Sequence, residues 1–258
     1  MTDLHNKIVF VTGASSGIGR STAMKFAEQG ARLLLCARRI EKLRETADDA
    51  SSRFGVNVHT FPLDVRDQKN VASALRALPP EWKDISILVN NAGLSRGLDT
   101  IQDGKISDWD EMIDTNVKGL LYVSREVIPG MIERNDGHII NIGSVAGHWV
   151  YPKGNVYNAS KFAVNALTQG MKIDLLGTPI RVTSVDPGLV ETEFSIVRFH
   201  GDAERADKVY QGMTPLSPDD IADTILWAAT RPAHVNISEI IIMPTEQSSP
   251  TLVHRKTT

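Results

Sequence analysis

Seven short runs rich in β-branched residues and leucine recur along the chain, at 8–11, 32–36, 56–61, 86–89, 138–142, 180–185 and 238–243. Longer amphipathic segments lie between them, at 17–29, 40–54, 67–78, 107–133, 155–176 and 217–230. That spacing predicts strand and helix in alternation. The Ile-Leu-Val run at 87–89 has no period of two, which suits strands covered on both faces by crossover helices. The expected fold class is therefore α/β, a doubly wound parallel sheet with helices on both faces. No internal repeat, low-complexity block or linker-like stretch interrupts residues 1–247, which are read as a single domain. Two segments break the alternation: 189–216 has the length of a lid, and 248–258 is expected to be a frayed tail.

With 41% hydrophobic and 23% charged residues, the chain can bury a sizeable core without cross-links. Cys36 is the single cysteine, so an intramolecular disulfide is impossible and a cytoplasmic setting is expected. The polar start at 1–7 lacks the basic character of a secretory signal, and no stretch approaches the roughly 20 apolar residues of a membrane span. A formal charge of 28 − 31 = −3 without a basic cluster argues against a nucleic-acid footprint. Neither nucleic acid nor membrane is expected as a partner, and the ligand should be a small molecule. None of the seven histidines shows metal-ligand spacing, so no metal site is expected. A G-x-S-x-G elbow and a Walker loop are both missing, which disfavours hydrolase and phosphoryl-transfer chemistry.

The first strand runs into Thr12-Gly13-Ala14-Ser15-Ser16-Gly17-Ile18-Gly19, and a helix follows. Glycines let the backbone turn tightly and approach a pyrophosphate, while the helix amino end offers free N–H groups. Gly13, Ser15, Ser16, Gly17, Ile18 and Gly19 form the expected cradle, in the spacing G-x-x-x-G-x-G rather than G-x-G-x-x-G. A turn that needs glycine only for sterics is the plainer alternative. Where an NAD-binding fold places an acid for the ribose 2′-hydroxyl, this chain has Ala37, then Arg38 and Arg39. A guanidinium suits a 2′-phosphate, so NADP is expected in preference to NAD; the alternative is a pair of arginines solvating a strand end.

Tyr157 and Lys161 stand at i and i+4, on one helical face. A free phenol titrates near 10, and a neighbouring ammonium would lower that value toward useful acid/base chemistry. Ser144 follows the strand at 138–142 and is placed to hold a carbonyl oxygen beside the phenol. Asn116 lies within an apolar stripe of Trp109, Met112, Ile113, Val117, Leu120, Leu121, Val127 and Met131. A buried amide needs partners, either core hydrogen bonds or an ordered water near the site.

On these residues the chain resembles the short-chain dehydrogenase/reductase family over nearly its whole length. The likeness is carried by T-G-A-S-S-G-I-G at 12–19, Leu63-Asp64-Val65, Asn90-Asn91-Ala92-Gly93, Asn116 in T-N-V, Ser144, Tyr157 with Lys161, and Pro187-Gly188 followed by Val190 and Thr192. The resemblance implies a seven-stranded Rossmann sheet and a catalytic tetrad of Asn116, Ser144, Tyr157 and Lys161. Asp64, with Val65 alongside, would meet the adenine. Asn91, Ala92 and Gly93 would border the cofactor, as would Pro187, Gly188 and Val190, and Thr192 would hold the nicotinamide carboxamide. Tyr157 would be the general acid/base, Lys161 would bind the nicotinamide ribose and lower the phenol, and Asn116 would hold a relay water.

A narrower similarity runs through Gly143-Ser144-Val145-Ala146-Gly147, residues 187–194, Val197-Arg198-Phe199 and residues 232–237. These segments resemble the branch that oxidises 3-hydroxy acids and the β-hydroxyl of serine or allo-threonine with NADP. An acid substrate needs a cation, for which Arg198 is the candidate, with His200, Arg205 and Lys153 behind it. A solvent-facing Arg198 on a packed lid is the alternative. A reductase of neutral ketones, diketones or aldehydes, and a dinucleotide sensor without turnover, are the rival functions. Ala159, Ala163, Ala166 and Gly170 make a small-residue stripe that permits close helix approach, either to the sheet or to another subunit. The resemblance implies a homotetramer or homodimer.

Overall fold

The computed structural model describes residues 2–256. The chain forms β1 (Ile8–Thr12), α1 (Gly17–Glu28), β2 (Arg32–Ala37), α2 (Ile40–Phe54), β3 (Val58–Pro62), α3 (Gln68–Arg76) and β4 (Ile85–Asn90). It continues through α4 (Ile106–Ile113), α5 (Leu120–Arg134), β5 (His138–Ile142), α6 (Asn155–Asp174) and β6 (Arg181–Pro187). The short α7 (Phe194–Arg198) and α8 (Ala203–Asp207) precede α9 (Pro218–Ala229) and β7 (Glu239–Ile242). The sheet is parallel throughout, in the order β3-β2-β1-β4-β5-β6-β7. The alternation read from the sequence is therefore the seven-stranded Rossmann arrangement.

Side-chain parity explains the absence of a two-residue period. Phe10, Leu34, Leu88, Ile139 and Val182 point to one face, where α3, α5 and α6 bury Val71, Val127 and Val164 against them. Val9, Val11, Leu33, Leu35, Val89 and Ile140 point to the other, beneath Phe26 of α1, Leu43 of α2 and Ile225 of α9. Both faces of every central strand are apolar because both are roofed. Local signals set the helix ends. Ser217 and Asp220 make a reciprocal capping box at the start of α9, and Gly55, in the left-handed region at φ 69°, ends α2.

Beneath the strand ends runs a buried polar belt. Asn90 Nδ2 donates to Ser124 Oγ at 3.0 Å and to Asn141 Oδ1 at 2.9 Å, and Asn141 Nδ2 donates to Thr168 Oγ1 at 2.9 Å. Two strands and two helices are tied by it.

Two expectations are corrected. The apolar stripe predicts one helix over 107–133, but α4 and α5 are separated by a π-helical turn at Asp114–Gly119. That turn shifts the helical face, so Leu121, placed in the stripe, is exposed. The tail is not loose over the described residues. His254 N donates to Glu246 O at 2.8 Å, and the Arg255 guanidinium donates to the carbonyls of Val209 and Gln211, so residues 247–255 turn back onto the end of the lid. Residues 257 and 258 lie outside the described residues.

Asn141→Ala should lower stability by about 1–3 kcal/mol, because it removes one of the two partners of the buried Asn90 amide and the donor to the Thr168 hydroxyl. A urea titration checks this: a lower midpoint with unchanged slope is the expected result.

Candidate active site

β1 and β4 are neighbours whose following segments leave in opposite directions along the sheet, which opens a crevice at their carboxyl ends. The crevice is a cavity of about 690 Å³. Gly13 and Gly17 have positive φ, 67° and 53°, which glycine adopts without strain. The Thr12 hydroxyl accepts from the N–H groups of Asn91 (3.1 Å) and Ala92 (3.0 Å), and Asn91 Nδ2 donates back to Thr12 O at 2.9 Å. The two loops are thereby fixed against each other. Ser16 caps α1 without a side-chain bond, which leaves the helix amino end directed at the crevice.

Arg38 and Arg39 both line the cavity, as do Asp64 and Val65. Arg39 donates to Ser16 Oγ at 2.6 Å and pairs with Glu193 of the lid at 2.7 Å. Lys42 meets the same carboxylate at 2.7 Å, and these two bonds hold Glu193 down to about 2. Asp64 is gripped by Arg66; burial opposes its ionisation, but the Arg66 bonds hold it below the usual carboxylate range. Ser15, Ile18, Gly93, Pro187, Gly188, Val190 and Thr192 also face the cavity. Gly19 stands behind this wall, where a Cβ would meet Gly13 O at 2.5 Å and so could not be fitted.

Farther along, Ser144, Tyr157 and Lys161 share the same cavity. Ser144 caps a one-turn helix, accepting from Ala146 N at 3.1 Å, and its Oγ lies 3.4 Å from Pro187 O. Lys161 Nζ is 5.9 Å from the Tyr157 ring centroid and donates to Ile142 O at 2.8 Å. Burial pushes Tyr157 up to about 12 and Lys161 down to about 8. The sequence reading assigns the lowering of the phenol to Lys161. In this structure the opposing influences are Arg198 and a hydrogen bond with Ser144, while the Lys161 ammonium is turned to the Ile142 carbonyl.

Asn116 sits in the π-helical turn and is satisfied by the chain itself. Its Oδ1 accepts from Leu94 N at 2.8 Å, and its Nδ2 donates to Leu94 O at 2.8 Å and Ser160 Oγ at 3.0 Å. These bonds fix the loop after β4 against α6.

Arg198 does not face solvent. Its guanidinium lies 5.1 Å from the Tyr157 centroid and 5.2 Å from Phe194, and donates to Tyr151 Oη at 2.7 Å and Ser95 Oγ at 3.0 Å. The other cations named with it lie elsewhere: His200 pairs with Asp108 at 3.0 Å, Arg205 stacks on Phe199 at 4.3 Å, and Lys153 is outside the cavity lining. Sequence reasoning missed Arg96, which lines the cavity and donates to Val197 O at 2.6 Å, and Tyr151, whose hydroxyl meets Arg198. Neither stands in a spacing that signals a site; Tyr151, six residues before Tyr157, was the more accessible of the two.

The family profile described as short chain dehydrogenase matches residues 7–202. The chain belongs to the short chain dehydrogenase family. It is 49% identical over 250 residues to the NADP-dependent 3-hydroxy acid dehydrogenase YdfG of Salmonella typhi, covering 96% of this chain and 99% of that one. It is 48% identical over 242 residues to sulfoacetaldehyde reductase 2 of Chromohalobacter salexigens, covering 93% and 95%. Among solved structures, the closed form of serine dehydrogenase complexed with NADP+ superposes with a TM-score of 0.90 at 47% identity, covering 96% of this chain and all of that one. The cavity therefore occupies the ligand crevice of a short chain dehydrogenase fold, and no described helix is long and apolar enough to cross a membrane.

Gly19→Ala should abolish nicotinamide dinucleotide binding and cost roughly 1–3 kcal/mol of stability, since the clash is with backbone. Fluorescence titration with the dinucleotide, paired with a thermal melt, reads both effects.

Proposed function

We propose that this chain is an NADP-dependent oxidoreductase that interconverts small 3-hydroxy acids, including β-hydroxy amino acids such as serine, with their carbonyl forms. The observation that carries this reading is Arg198, a cation 5.1 Å from the Tyr157 ring centroid inside the cavity that holds Ser144 and Lys161. Two named relatives support it, a 3-hydroxy acid dehydrogenase and a serine dehydrogenase.

The residues fit the dinucleotide. Gly13 and Gly17 supply the positive-φ turn, the amino end of α1 supplies free N–H groups, and Arg38 and Arg39 stand where a 2′-phosphate would need charge. When bound, the nicotinamide supplies or accepts the hydride. The protein's own residues do the rest. Ser144 holds the reacting oxygen by a hydrogen bond. Tyr157, protonated at neutral pH, delivers a proton to that oxygen in reduction and recovers it in oxidation. Lys161 supplies the buried positive charge beside the phenol. Arg198, together with the Tyr151 hydroxyl, pairs with the substrate carboxylate and so sets its distance from Tyr157. The same anchor suits a sulfonate in the carboxylate's place, in keeping with the similarity to a sulfoacetaldehyde reductase.

A homotetramer or homodimer fits the outer face of α6, where Ala159, Phe162 and Ala166 are exposed and nothing lies near Gly170. The small-residue stripe thus turns away from its own sheet. A cytoplasmic setting fits the buried, unpaired Cys36.

Arg198→Met should cut kcat/KM for 3-hydroxypropionate with NADP+ by roughly 10–100-fold and leave its methyl ester within about threefold of wild type. Equal losses on acid and ester would favour a reductase of neutral carbonyls. Arg38→Ala should raise KM for NADPH by about tenfold while changing that for NADH little, because only the former carries a 2′-phosphate; matched effects on the two would remove the NADP assignment.

A further inference from the structure

Behind Ser144 and Lys161, on the side away from the cavity, lies a buried pair that the proposed chemistry has not used. His148 Nε2 is 2.7 Å from Asp186 Oδ2, and Ser184 Oγ donates to Asp186 Oδ1 at 2.5 Å. Asp186 has no exposed surface. Glu239 of β7 stands 3.6 Å from the same imidazole nitrogen, and Asn165 Nδ2 of α6 stands 3.3 Å from it. His148, Asp186 and Glu239 offer ligand atoms within 4.8 Å of one another, a grouping that residue spacing did not signal. The His148–Asp186 separation is that of a hydrogen bond, which is how the group functions here.

This pair closes a small circuit around the reacting groups. Ser144 begins the one-turn helix Val145–Gly147 and His148 ends it. At the near end, Ser144 Oγ contacts Pro187 O; at the far end, His148 holds Asp186, the residue preceding Pro187. Gly143 is squeezed between these ends, and a Cβ there would overlap Asp186 Oδ1. The carbonyl just before it, Ile142 O, receives the Lys161 ammonium at 2.8 Å. On α6, Asn165 Nδ2 also donates to Gly147 O at 3.1 Å, which presses the turn onto the helix that carries Tyr157 and Lys161.

We infer that His148 and Asp186 are positioning residues for the hydride-transfer site: the pair clamps the turn bearing Ser144 and braces the strand end whose Ile142 carbonyl receives Lys161. The inference rests on the proposed roles of Ser144, Tyr157 and Lys161. The electrostatics agree with the geometry. Burial pulls Lys161 down to about 8, and Asp186 is the charge that acts against it. Burial also pushes the Asp186 carboxyl up, with Glu239 adding to that, while the bonds from Ser184 and His148 pull it back. Loss of the His148 bond would therefore favour the neutral acid, and a neutral residue 186 would let Lys161 lose its proton at lower pH.

The test is the pH dependence of kcat/KM for carbonyl reduction at saturating NADPH. In Asp186→Asn the alkaline limb should move down by at least about half a pH unit, with activity at its optimum reduced. A lower rate at every pH with the limb in place would mean a purely structural role and would overturn the inference. Two variants at position 148 provide a second readout that does not depend on the folding of Asp186→Asn. His148→Ala should lower kcat about tenfold with little change in KM for NADPH, and His148→Gln, whose amide N–H can reach Asp186, should restore most of it. Wild-type kcat in His148→Ala, or no rescue by glutamine, would overturn it. Failure of the underlying reading looks different: Tyr157→Phe and Lys161→Met would then both retain turnover, whatever the variants at 148 and 186 do.

Discussion

A phenol taken out of water is the constraint around which the rest of this site is arranged. Burial raises Tyr157 to about 12, which keeps it protonated and neutral beside an apolar ring, Phe194, at 5.7 Å. Such a group keeps its proton at neutral pH and gives it up only reluctantly. Positive charge opposes that rise: Arg198 lies over the ring, and a hydrogen bond with Ser144 acts in the same direction. The same low-dielectric setting that makes the phenol reluctant to ionise makes both of those influences count for more. Under the proposed function an acidic substrate would meet Arg198 already stacked on the Tyr157 ring, so charge recognition and proton transfer would share a single scaffold.

That scaffold depends on the sheet being dry on both sides. Parallel strands roofed by α3, α5 and α6 on one face and α1, α2 and α9 on the other end in register, and their loops are forced to one edge. Rigidity at this edge comes from polar groups rather than apolar packing. Thr12 with Asn91 and Asn116 with Leu94 are side chain to backbone bonds that each fix a loop to its neighbour, and Ser144 with Ala146 caps its own turn. The lid is held in the same manner, with Glu193 on Arg39 and Lys42, and Val197 O on Arg96. Function is thus concentrated where backbone would otherwise be free.

The residues most legible in the sequence are those whose role is local. The glycine loop, the strand–helix alternation and the i, i+4 pair of Tyr157 and Lys161 follow from steric and periodic rules that act over a few residues. The π-helical turn at Asn116 was hidden because it hardly disturbs the spacing of the apolar stripe; only the exposure of Leu121 betrays it. Arg96, Tyr151 and the His148–Asp186 pair were invisible for another reason. The partners that define their roles (Val197 for Arg96, Arg198 for Tyr151, Asp186 for His148) lie 38 or more residues away, and only the closing of β5 beside β6 and of the lid over β4 brings them together. The tail misled for the same cause, since its polar composition reads as solvent-exposed, while the carbonyls that Arg255 caps belong to the lid.

The most direct measurement is turnover of 3-hydroxypropionate with NADP+ by Tyr157→Phe, set beside its affinity for NADPH. A loss of roughly 10²–10⁴-fold in kcat with dinucleotide affinity preserved is the expected result, because the ring and its packing remain while the proton-handling hydroxyl is gone. Turnover within a few-fold of wild type would contradict the account, since no buried phenol would then be needed to move the proton.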